Sequence, residues 1–145
     1  MKISDLKEQI IMEECVFCKI IKGEAPSMKI YEDEYTMAFM DIAKDVDGHL
    51  LVVPKKHFTN ILDCNDGYLI NLVRTVKRIS NHLVDDCGYD GVNLLNASDE
   101  SAGQSVFHFH IHVIPRKAGD NIKAWPNFGG AETPTEDIFK KITML

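Results

Sequence analysis

Residues 108–112 read His-Phe-His-Ile-His and lie inside an apolar run over residues 106–114. Because side chains in a strand alternate between two faces, His108, His110 and His112 would share one face at intervals of about 6.6 Å. An imidazole buries less apolar surface than Leu or Val, and its ring nitrogens need partners. We therefore interpret this segment as a strand built for chemistry; three ordinary histidines on an amphipathic strand is the alternative.

Length and composition predict a single domain. The chain has 145 residues, of which 45% are hydrophobic, and this is enough for one sizeable core. No repeat or linker divides it, so we expect an N-terminal extension over residues 1–13 and one domain over residues 14–145. The net charge is −6 and no Lys/Arg cluster of the kind that binds duplex phosphates is present, which disfavours a nucleic-acid partner. A small phosphate can still bind, because a few local donors are enough.

The N-terminus does not resemble a targeting segment. Charged residues interrupt any apolar stretch there, namely Lys2, Asp5, Lys7 and Glu8. No later stretch approaches the length of a membrane span, so we expect a cytoplasmic protein with no membrane partner. The helical spacing of Ile3, Leu6 and Ile10 predicts a short amphipathic helix that packs on the domain or on a partner, with a frayed terminus as the alternative.

Hydrophobic periodicity predicts an α+β fold. The longest helix is expected over residues 66–85, where apolar side chains recur with a period near 3.6. Apolar runs predict five strands, over residues 28–31, 35–40, 49–53, 91–95 and 106–114. A short helix over residues 16–22 and a C-terminal helix over 135–143, with Thr135 as its N-cap, complete the set. Strands joined by hairpins predict an antiparallel sheet.

A Cys-x-x-Cys pair, Cys15 and Cys18, raises the possibility of a metal site. A tetrahedral zinc ion would need two further ligands, and His57 and His108 are the best candidates. His49 is close enough in sequence to be confused with His57. Four protein ligands would make the zinc structural. Thiol-disulfide exchange is disfavoured because no strand precedes the pair, whereas two ordinary thiols remain an alternative.

The middle histidine of the triad, His110, is the candidate nucleophile. A neutral imidazole nitrogen attacks phosphorus well when its other ring nitrogen donates to a fixed acceptor, such as a backbone carbonyl of the preceding loop. His112 could donate a hydrogen bond to a phosphate oxygen as negative charge develops there. His49 could reach the same place from a neighbouring strand, or be a surface histidine.

Two further segments could contact a ligand. In the loop that leads into the triad, the Gln104 amide and the Ser105 hydroxyl could bind a bridging atom or a leaving group, and Gly103 permits close approach of a phosphate. A plain polar turn is the alternative. Asp41, at a predicted strand end, could hold the two hydroxyls of a ribose or could simply begin a turn.

The triad, read as His-φ-His-φ-His-φ-φ with φ apolar, resembles the signature of the histidine triad superfamily at every position. Other segments resemble the same family in the same order, namely residues 15–21, 38–42, 48–57 and 102–107. Together they cover most of residues 14–116. The chain is therefore identified as similar to the zinc-bearing members of this superfamily.

The resemblance implies a nucleotidyl hydrolase or transferase that acts on the α-phosphate of a nucleotide through a covalent intermediate on His110. It implies a purine nucleotide in a cleft, a structural zinc and a homodimer. The residues that match nucleotide-binding positions are Phe39, Asp41, Ile42, Asn96, Gln104, Ser105, His110 and His112, with Ser105, His112 and His49 assisting catalysis. The residues that match zinc ligands are Cys15, Cys18, His57 and His108.

Branches of the superfamily differ in the third histidine and in the leaving group. The galactose-1-phosphate uridylyltransferase branch has glutamine where this chain has His112, so a hydrolase is favoured. Ser105 and Trp125-Pro126 resemble the purine nucleoside phosphoramidase (Hint-like) branch, although the loop over residues 96–105 is one residue longer, which leaves the role of Asn96 open. The alternatives are a dinucleoside polyphosphate hydrolase and a nucleotide-binding interaction module with little turnover.

Overall fold

The computed structural model describes residues 1–145 and contains one five-stranded antiparallel sheet with four α-helices. The strands are β1 (Lys29–Glu32), β2 (Thr36–Met40), β3 (Leu50–Pro54), β4 (Gly91–Leu95) and β5 (Ile111–Arg116). The helices are α1 (Ile3–Glu14), α2 (Val16–Ile21), α3 (Asp66–Asp85) and α4 (Thr135–Ile142). The α+β class and the five antiparallel strands agree with the prediction from the sequence.

The strand order is β1-β2-β3-β5-β4, so β5 lies between β3 and β4. Both neighbours pair with the last histidine of the triad, because Leu51 and Leu95 each stand opposite His112. The loop over residues 41–49 joins β2 to β3 and is closed by a backbone hydrogen bond from Asp41 N to His49 O at 3.0 Å. This topology brings the end of that loop beside the start of β5.

Helix α3 covers one face of the sheet. It begins at the N-cap Asn65, whose side chain accepts from Tyr68 N at 2.9 Å and so satisfies a backbone donor that the first turn leaves free. Its apolar stripe, Leu72, Val76, Ile79 and Leu83, packs on Ala38, Leu50, Val52, Phe109 and Val113. The core beneath the histidine segment is therefore apolar and closed.

Helix α2 covers part of the opposite face. The alternate side chains of β2 and β3, Met37, Phe39, Leu51 and Val53, pack there with Phe17. These strands are buried on both sides, and this explains why they read as continuous apolar runs rather than as alternating ones. The ring of Phe17 also packs edge-on against two triad histidines, at centroid distances of 5.8 Å from His108 and 5.2 Å from His110.

The regular strand at the triad is shorter at its start than predicted. We expected residues 106–114, but β5 begins at Ile111, and the first two histidines lie in irregular chain before it. Phe109 N donates to Phe58 O at 2.7 Å, in the segment beyond β3, instead of joining the sheet ladder. Phe107, near the start of this apolar run, is 46% exposed. The pairing of β5 with β3 ends at Ile111 and Val52, and the backbone before Ile111 finds its partner beyond β3 instead.

The terminal helices pack little. Helix α1 forms as expected, but none of its residues is buried, and the same is true of α4. The expectation that Thr135 caps α4 is wrong: Pro134 occupies the N-cap position, and a proline side chain cannot accept a hydrogen bond. The other predicted boundaries lie within one or two residues of the observed ones. None of the helices combines the length and apolar character needed to cross a membrane.

Candidate functional site

Four side chains from three separate segments converge into one donor cluster, Cys15, Cys18, His57 and His108. Nδ1 of His108 lies 3.4 Å from Sγ of Cys15, and Nδ1 of His57 lies 3.3 Å from Sγ of Cys18. Zinc bonds of about 2.0–2.3 Å at tetrahedral angles place neighbouring donor atoms about 3.3–3.8 Å apart. The donor set and its spacing therefore fit a closed tetrahedral zinc site.

The local fold orients these donors. Cys15 is the N-cap residue of α2, and its Sγ accepts from Cys18 N at 3.4 Å, so the pair shares one helical turn. His108 Nε2 donates to Pro54 O at 2.9 Å, which leaves Nδ1 to face the sulfurs. A hydrogen bond from the outer ring nitrogen to a carbonyl is the usual way that proteins fix a metal-binding imidazole. An ion held here would tie α2 to the sheet.

The two thiols differ in acidity. Burial alone would raise the pKa of Cys15, but hydrogen bonding, chiefly from His108, outweighs it and lowers the pKa to about 5. Burial and the neighbouring Cys15 raise the pKa of Cys18 to about 12. Near neutral pH this pair holds one thiolate, and a bound cation would favour the second.

The middle histidine, His110, is held in one tautomer. Its Nδ1 donates to His108 O at 2.7 Å, so in the neutral ring Nε2 carries the lone pair. Asn96 Nδ2 donates to His110 O at 2.9 Å and fixes the backbone at the same residue. Burial lowers the pKa of His110, which keeps the ring neutral near pH 7. A buried, neutral imidazole with a fixed Nδ1 proton has the properties of a nucleophile.

His112 belongs to a chain of three titratable side chains. Its Nδ1 lies 2.9 Å from Nε2 of His49, and Nδ1 of His49 donates to Oδ1 of Asp45 at 2.8 Å. The rings of His110 and His112 are 4.9 Å apart, centroid to centroid. Burial, followed by the nearby His110 and His49, lowers the pKa of His112 to about 4. The arrangement can move a proton between the loop over residues 41–49 and β5.

Asp45 was missed by the sequence reasoning. It lies in the polar loop after β2, four residues before His49, and no periodic pattern there predicts which carboxylate contacts His49. The Asp41 side chain lies beside His49 and His112. Its Oδ2 is 3.4 Å from His49 Nε2 and 3.8 Å from His112 Nδ1. Its Oδ1 accepts from Ala43 N at 2.8 Å, which is also the turn expected as the alternative role.

Gln104, which we expected to contact a ligand, is buried and hydrogen bonded within the protein. The residue is 5% exposed, and its Nε2 donates to Thr59 O at 2.6 Å and to Val106 O at 3.0 Å. Its Oε1 accepts from Asp99 N at 2.8 Å. Both amide hydrogens are therefore used inside the protein in this structure, where Gln104 holds the loop before the triad.

Of the remaining residues expected to contact a ligand, one is buried and two are exposed. Phe39 is 2% exposed and packs edge-on against Phe17 at 5.4 Å, so it belongs to the core. Ile42 is 96% exposed, directly after Asp41. Ser105 is exposed in the loop before the triad. Ile42 and Ser105 therefore remain accessible to a ligand.

The sequence profile of the HIT domain matches residues 22–119, a segment that includes the whole triad. This chain belongs to the HIT family. The Bacillus subtilis HIT relative named "Protein hit" is 46% identical over 104 residues, covering 72% of this chain and 72% of that protein. Adenosine 5'-monophosphoramidase HNT1 of Saccharomyces cerevisiae is 37% identical over 114 residues, covering 77% and 70%. Adenylylsulfatase HINT3 of Arabidopsis thaliana is 38% identical over 115 residues, covering 79% and 58%.

Solved HIT structures share the fold. A HIT family protein from Bacillus subtilis superposes with a TM-score of 0.77 at 40% identity, covering 88% of this chain and 92% of that one. A zinc-bound histidine triad protein from Mycobacterium smegmatis superposes with a TM-score of 0.74 at 34% identity, covering 80% and 84%. The HIT fold and membership of a family that includes hydrolases follow from these matches.

Proposed function

We propose that this HIT protein hydrolyses purine nucleoside phosphoramidates or other conjugates of nucleoside 5′-monophosphates, through a covalent nucleotidyl intermediate on His110. The observation that carries the proposal is the 2.7 Å hydrogen bond from His110 Nδ1 to His108 O, because it leaves Nε2 with its lone pair. The two relatives with named activities support the substrate class: both names specify an adenosine or adenylyl group, and they differ in what is attached to it.

The proposed reaction has two steps. Nε2 of His110 attacks the α-phosphorus, the bond from phosphorus to the leaving amine breaks, and the exposed hydroxyl of Ser105 assists departure of the amine. In the second step water attacks the same phosphorus and the bond from phosphorus to Nε2 breaks, which releases the nucleoside monophosphate and restores neutral His110. The proton that this water loses replaces the one that the leaving amine took up in the first step. The bound nucleoside would place its ribose against Asp41 and Ile42.

His112 would supply a hydrogen bond to a phosphate oxygen as charge develops there. This requires a proton on Nε2 of His112, whereas its Nδ1 faces His49 at 2.9 Å. When His49 carries two protons, it donates to Asp45 and to His112 Nδ1, and the proton of His112 then lies on Nε2. We infer that the protonation state of His49 sets the donor role of His112, and that Asp45 positions His49 for it.

We also propose that the Cys15, Cys18, His57 and His108 cluster holds a structural zinc ion. Four protein donors would fill the coordination shell and leave no position for a substrate. The ion would immobilise the His108 ring, and the carbonyl of the same residue orients His110. The support is the spacing of the donors and the zinc-bound relative from Mycobacterium smegmatis.

A homodimer and a cytoplasmic location complete the proposal. Strand β4 lies at the edge of the sheet with Leu94 51% exposed and Leu95 38% exposed, which suits pairing with a second copy. The four cysteines are all free, as is usual in a reducing compartment.

The test is a steady-state comparison of adenosine 5′-phosphoramidate, adenosine 5′-phosphosulfate and diadenosine tetraphosphate, with zinc content measured on the same sample. We expect the phosphoramidate to have the highest kcat/KM. A preference for the tetraphosphate would favour the dinucleoside polyphosphate hydrolase instead. Tight binding of AMP without turnover of any of the three would favour an interaction module and would refute the enzymatic proposal.

A further inference from the structure

A second group of donor atoms lies beside the candidate nucleophile. Oδ2 of Asp41, Nε2 of His49 and Nδ1 of His112 form a triangle whose sides measure 2.9, 3.4 and 3.8 Å. It shares no residue with the Cys15, Cys18, His57 and His108 cluster. The group contains two imidazole nitrogens and one carboxylate oxygen, a combination that zinc accepts readily.

We propose that Asp41, His49 and His112 form a second, open zinc site, and that zinc bound there inhibits hydrolysis. The binding part stands on the geometry alone, whereas the inhibition rests on the proposed function. The sides of the triangle span the separation of about 3.3–3.5 Å that tetrahedral zinc bonds of about 2.0–2.1 Å impose on neighbouring donors. Three protein ligands leave the fourth position free, unlike the closed Cys/His cluster.

The atoms of His49 and Asp41 that face away from the triangle form hydrogen bonds typical of metal-binding residues. Nδ1 of His49 donates to Oδ1 of Asp45 at 2.8 Å, so Nε2 is the nitrogen left to bind an ion. Metal-binding histidines commonly donate their other ring N–H to a carboxylate in this way. Oδ1 of Asp41 accepts from Ala43 N at 2.8 Å, which leaves Oδ2 facing the two rings.

The charge of the group also favours a cation. Two carboxylates lie here, Asp41 in the triangle and Asp45 beside His49; both interact with histidines and form no ion pair with a lysine or an arginine. A divalent ion between the rings would offset this negative charge in a half-buried position, where solvent screens it less than at the surface.

Zinc and a proton would compete for the same lone pairs. His49 Nε2 and His112 Nδ1 share one proton across 2.9 Å when no metal is bound. An ion that takes both lone pairs removes this proton, and His112 can no longer change protonation state through His49. Turnover should therefore stop while zinc occupies the site, even though the closed Cys/His cluster is unchanged.

Zinc stoichiometry tests the site without reference to activity. Equilibrium dialysis followed by metal analysis should find two zinc ions per wild-type chain and one in His49→Ala and in Asp41→Ala. The matched control is His82→Ala, because His82 also donates to a carboxylate, Asp86 at 2.7 Å, but lies outside the triangle. This control should retain both ions, and loss of the second ion from it rather than from His49→Ala would overturn the assignment.

Cobalt separates the two sites by their ligands. The first equivalent of Co²⁺ should fill the cysteine cluster and add thiolate charge-transfer absorption, and the second should add ligand-field bands without further thiolate absorption. Asp45→Asn should weaken the second site about 10-fold to 100-fold, as loss of an outer-shell partner does, and leave the first unchanged. A second equivalent that adds thiolate absorption would contradict the ligand set.

Inhibition is read separately, with free zinc set by a metal buffer during phosphoramidate hydrolysis. We expect turnover to fall with the same zinc dependence as filling of the second site. A single zinc per wild-type chain would overturn the site whatever the activity, and two zinc ions with undiminished turnover would overturn the inhibition. If no nucleotide conjugate is hydrolysed, the proposed function fails, while the stoichiometry still decides whether the site exists.

Discussion

Nε2 of His49 lies 2.9 Å from Nδ1 of His112, so the last residue of the loop over residues 41–49 is joined directly to the strand that carries the triad. The contact places a second imidazole behind the one that would face the phosphate. Because Asp45 accepts from the far side of His49 at 2.8 Å, the three side chains form one chain of proton-sharing groups. Several functional consequences can be measured.

Asp45→Asn should lower kcat roughly 10-fold with little change in KM, because the amide keeps the size of the side chain but removes the charge opposite His49. The effect is modest because the Asp45 side chain is 54% exposed. Asp47→Asn, in the same loop, is the matched control and should behave as wild type. Equal loss of kcat in both variants would mean that general loop charge, and not the contact with His49, is responsible.

His110→Ala should reduce turnover at least about 1,000-fold while AMP binding persists, because the variant loses the attacking nitrogen but few ligand contacts. In wild type, acid-labile nucleotidyl label should be trapped on a peptide containing His110 and detected by mass spectrometry. His82→Ala, an exposed histidine outside the site, should keep full activity. A His110→Ala variant with wild-type kcat would refute the mechanism.

Local sequence patterns correctly predicted the elements that are stabilised by interactions within their own segment. The bounds of α3 were predicted correctly because its apolar period and its N-cap Asn65 lie within one segment, and those of β4 were predicted from one apolar run. The four residues predicted as zinc ligands lie together in the structure. The Cys-x-x-Cys spacing made this prediction possible, because two thiolates from one turn need two further ligands to complete a tetrahedral site. The strand predicted over residues 106–114 begins only at Ile111, because its regular part depends on pairing with β3, which ends at Val52. Phe109 N bonds to Phe58 O instead, a contact that the local pattern could not predict.

Long-range hydrogen bonds could not be predicted. The sequence predicted a ligand contact for Gln104, but it could not predict the hydrogen bond to Thr59, which lies 45 residues earlier. Asp45 looked like one of several acidic loop residues, because only the folded loop brings it to His49. Phe39 lies close in sequence to the loop over residues 41–49, yet β2 is buried on both faces and Phe39 lies in the core.

Acid should destabilise the protein partly through His112. Its pKa falls from 6.5 to about 4 in the folded chain, so between these values the unfolded chain binds a proton that the folded one does not. The free energy of unfolding should therefore decrease as pH falls through this window, by at most about 3 kcal/mol from this group. Urea unfolding at pH 7 and pH 5 should show a smaller decrease in His112→Gln than in wild type. Identical decreases would contradict the assignment.

Removal of the proposed zinc should loosen α2 and lower stability. His57→Ala removes one of four donors, and we expect zinc content to fall and the free energy of unfolding to decrease by several kcal/mol. Cys64→Ala, a thiol outside the cluster, is the control and should keep its zinc. A His57→Ala variant with wild-type Tm and no zinc would show that the metal has no structural role.

Gln104→Ala distinguishes a structural role from a ligand contact. The substitution leaves Asp99 N, Thr59 O and Val106 O without their side-chain partner at part-buried contacts, and this should lower the free energy of unfolding by about 1–3 kcal/mol. Ser105→Ala, the exposed neighbour, should leave stability unchanged and reduce kcat for the phosphoramidate instead. Urea unfolding and AMP affinity measured on both variants separate the roles. Weaker AMP binding by Gln104→Ala at unchanged stability would mean that the amide turns toward the ligand after all.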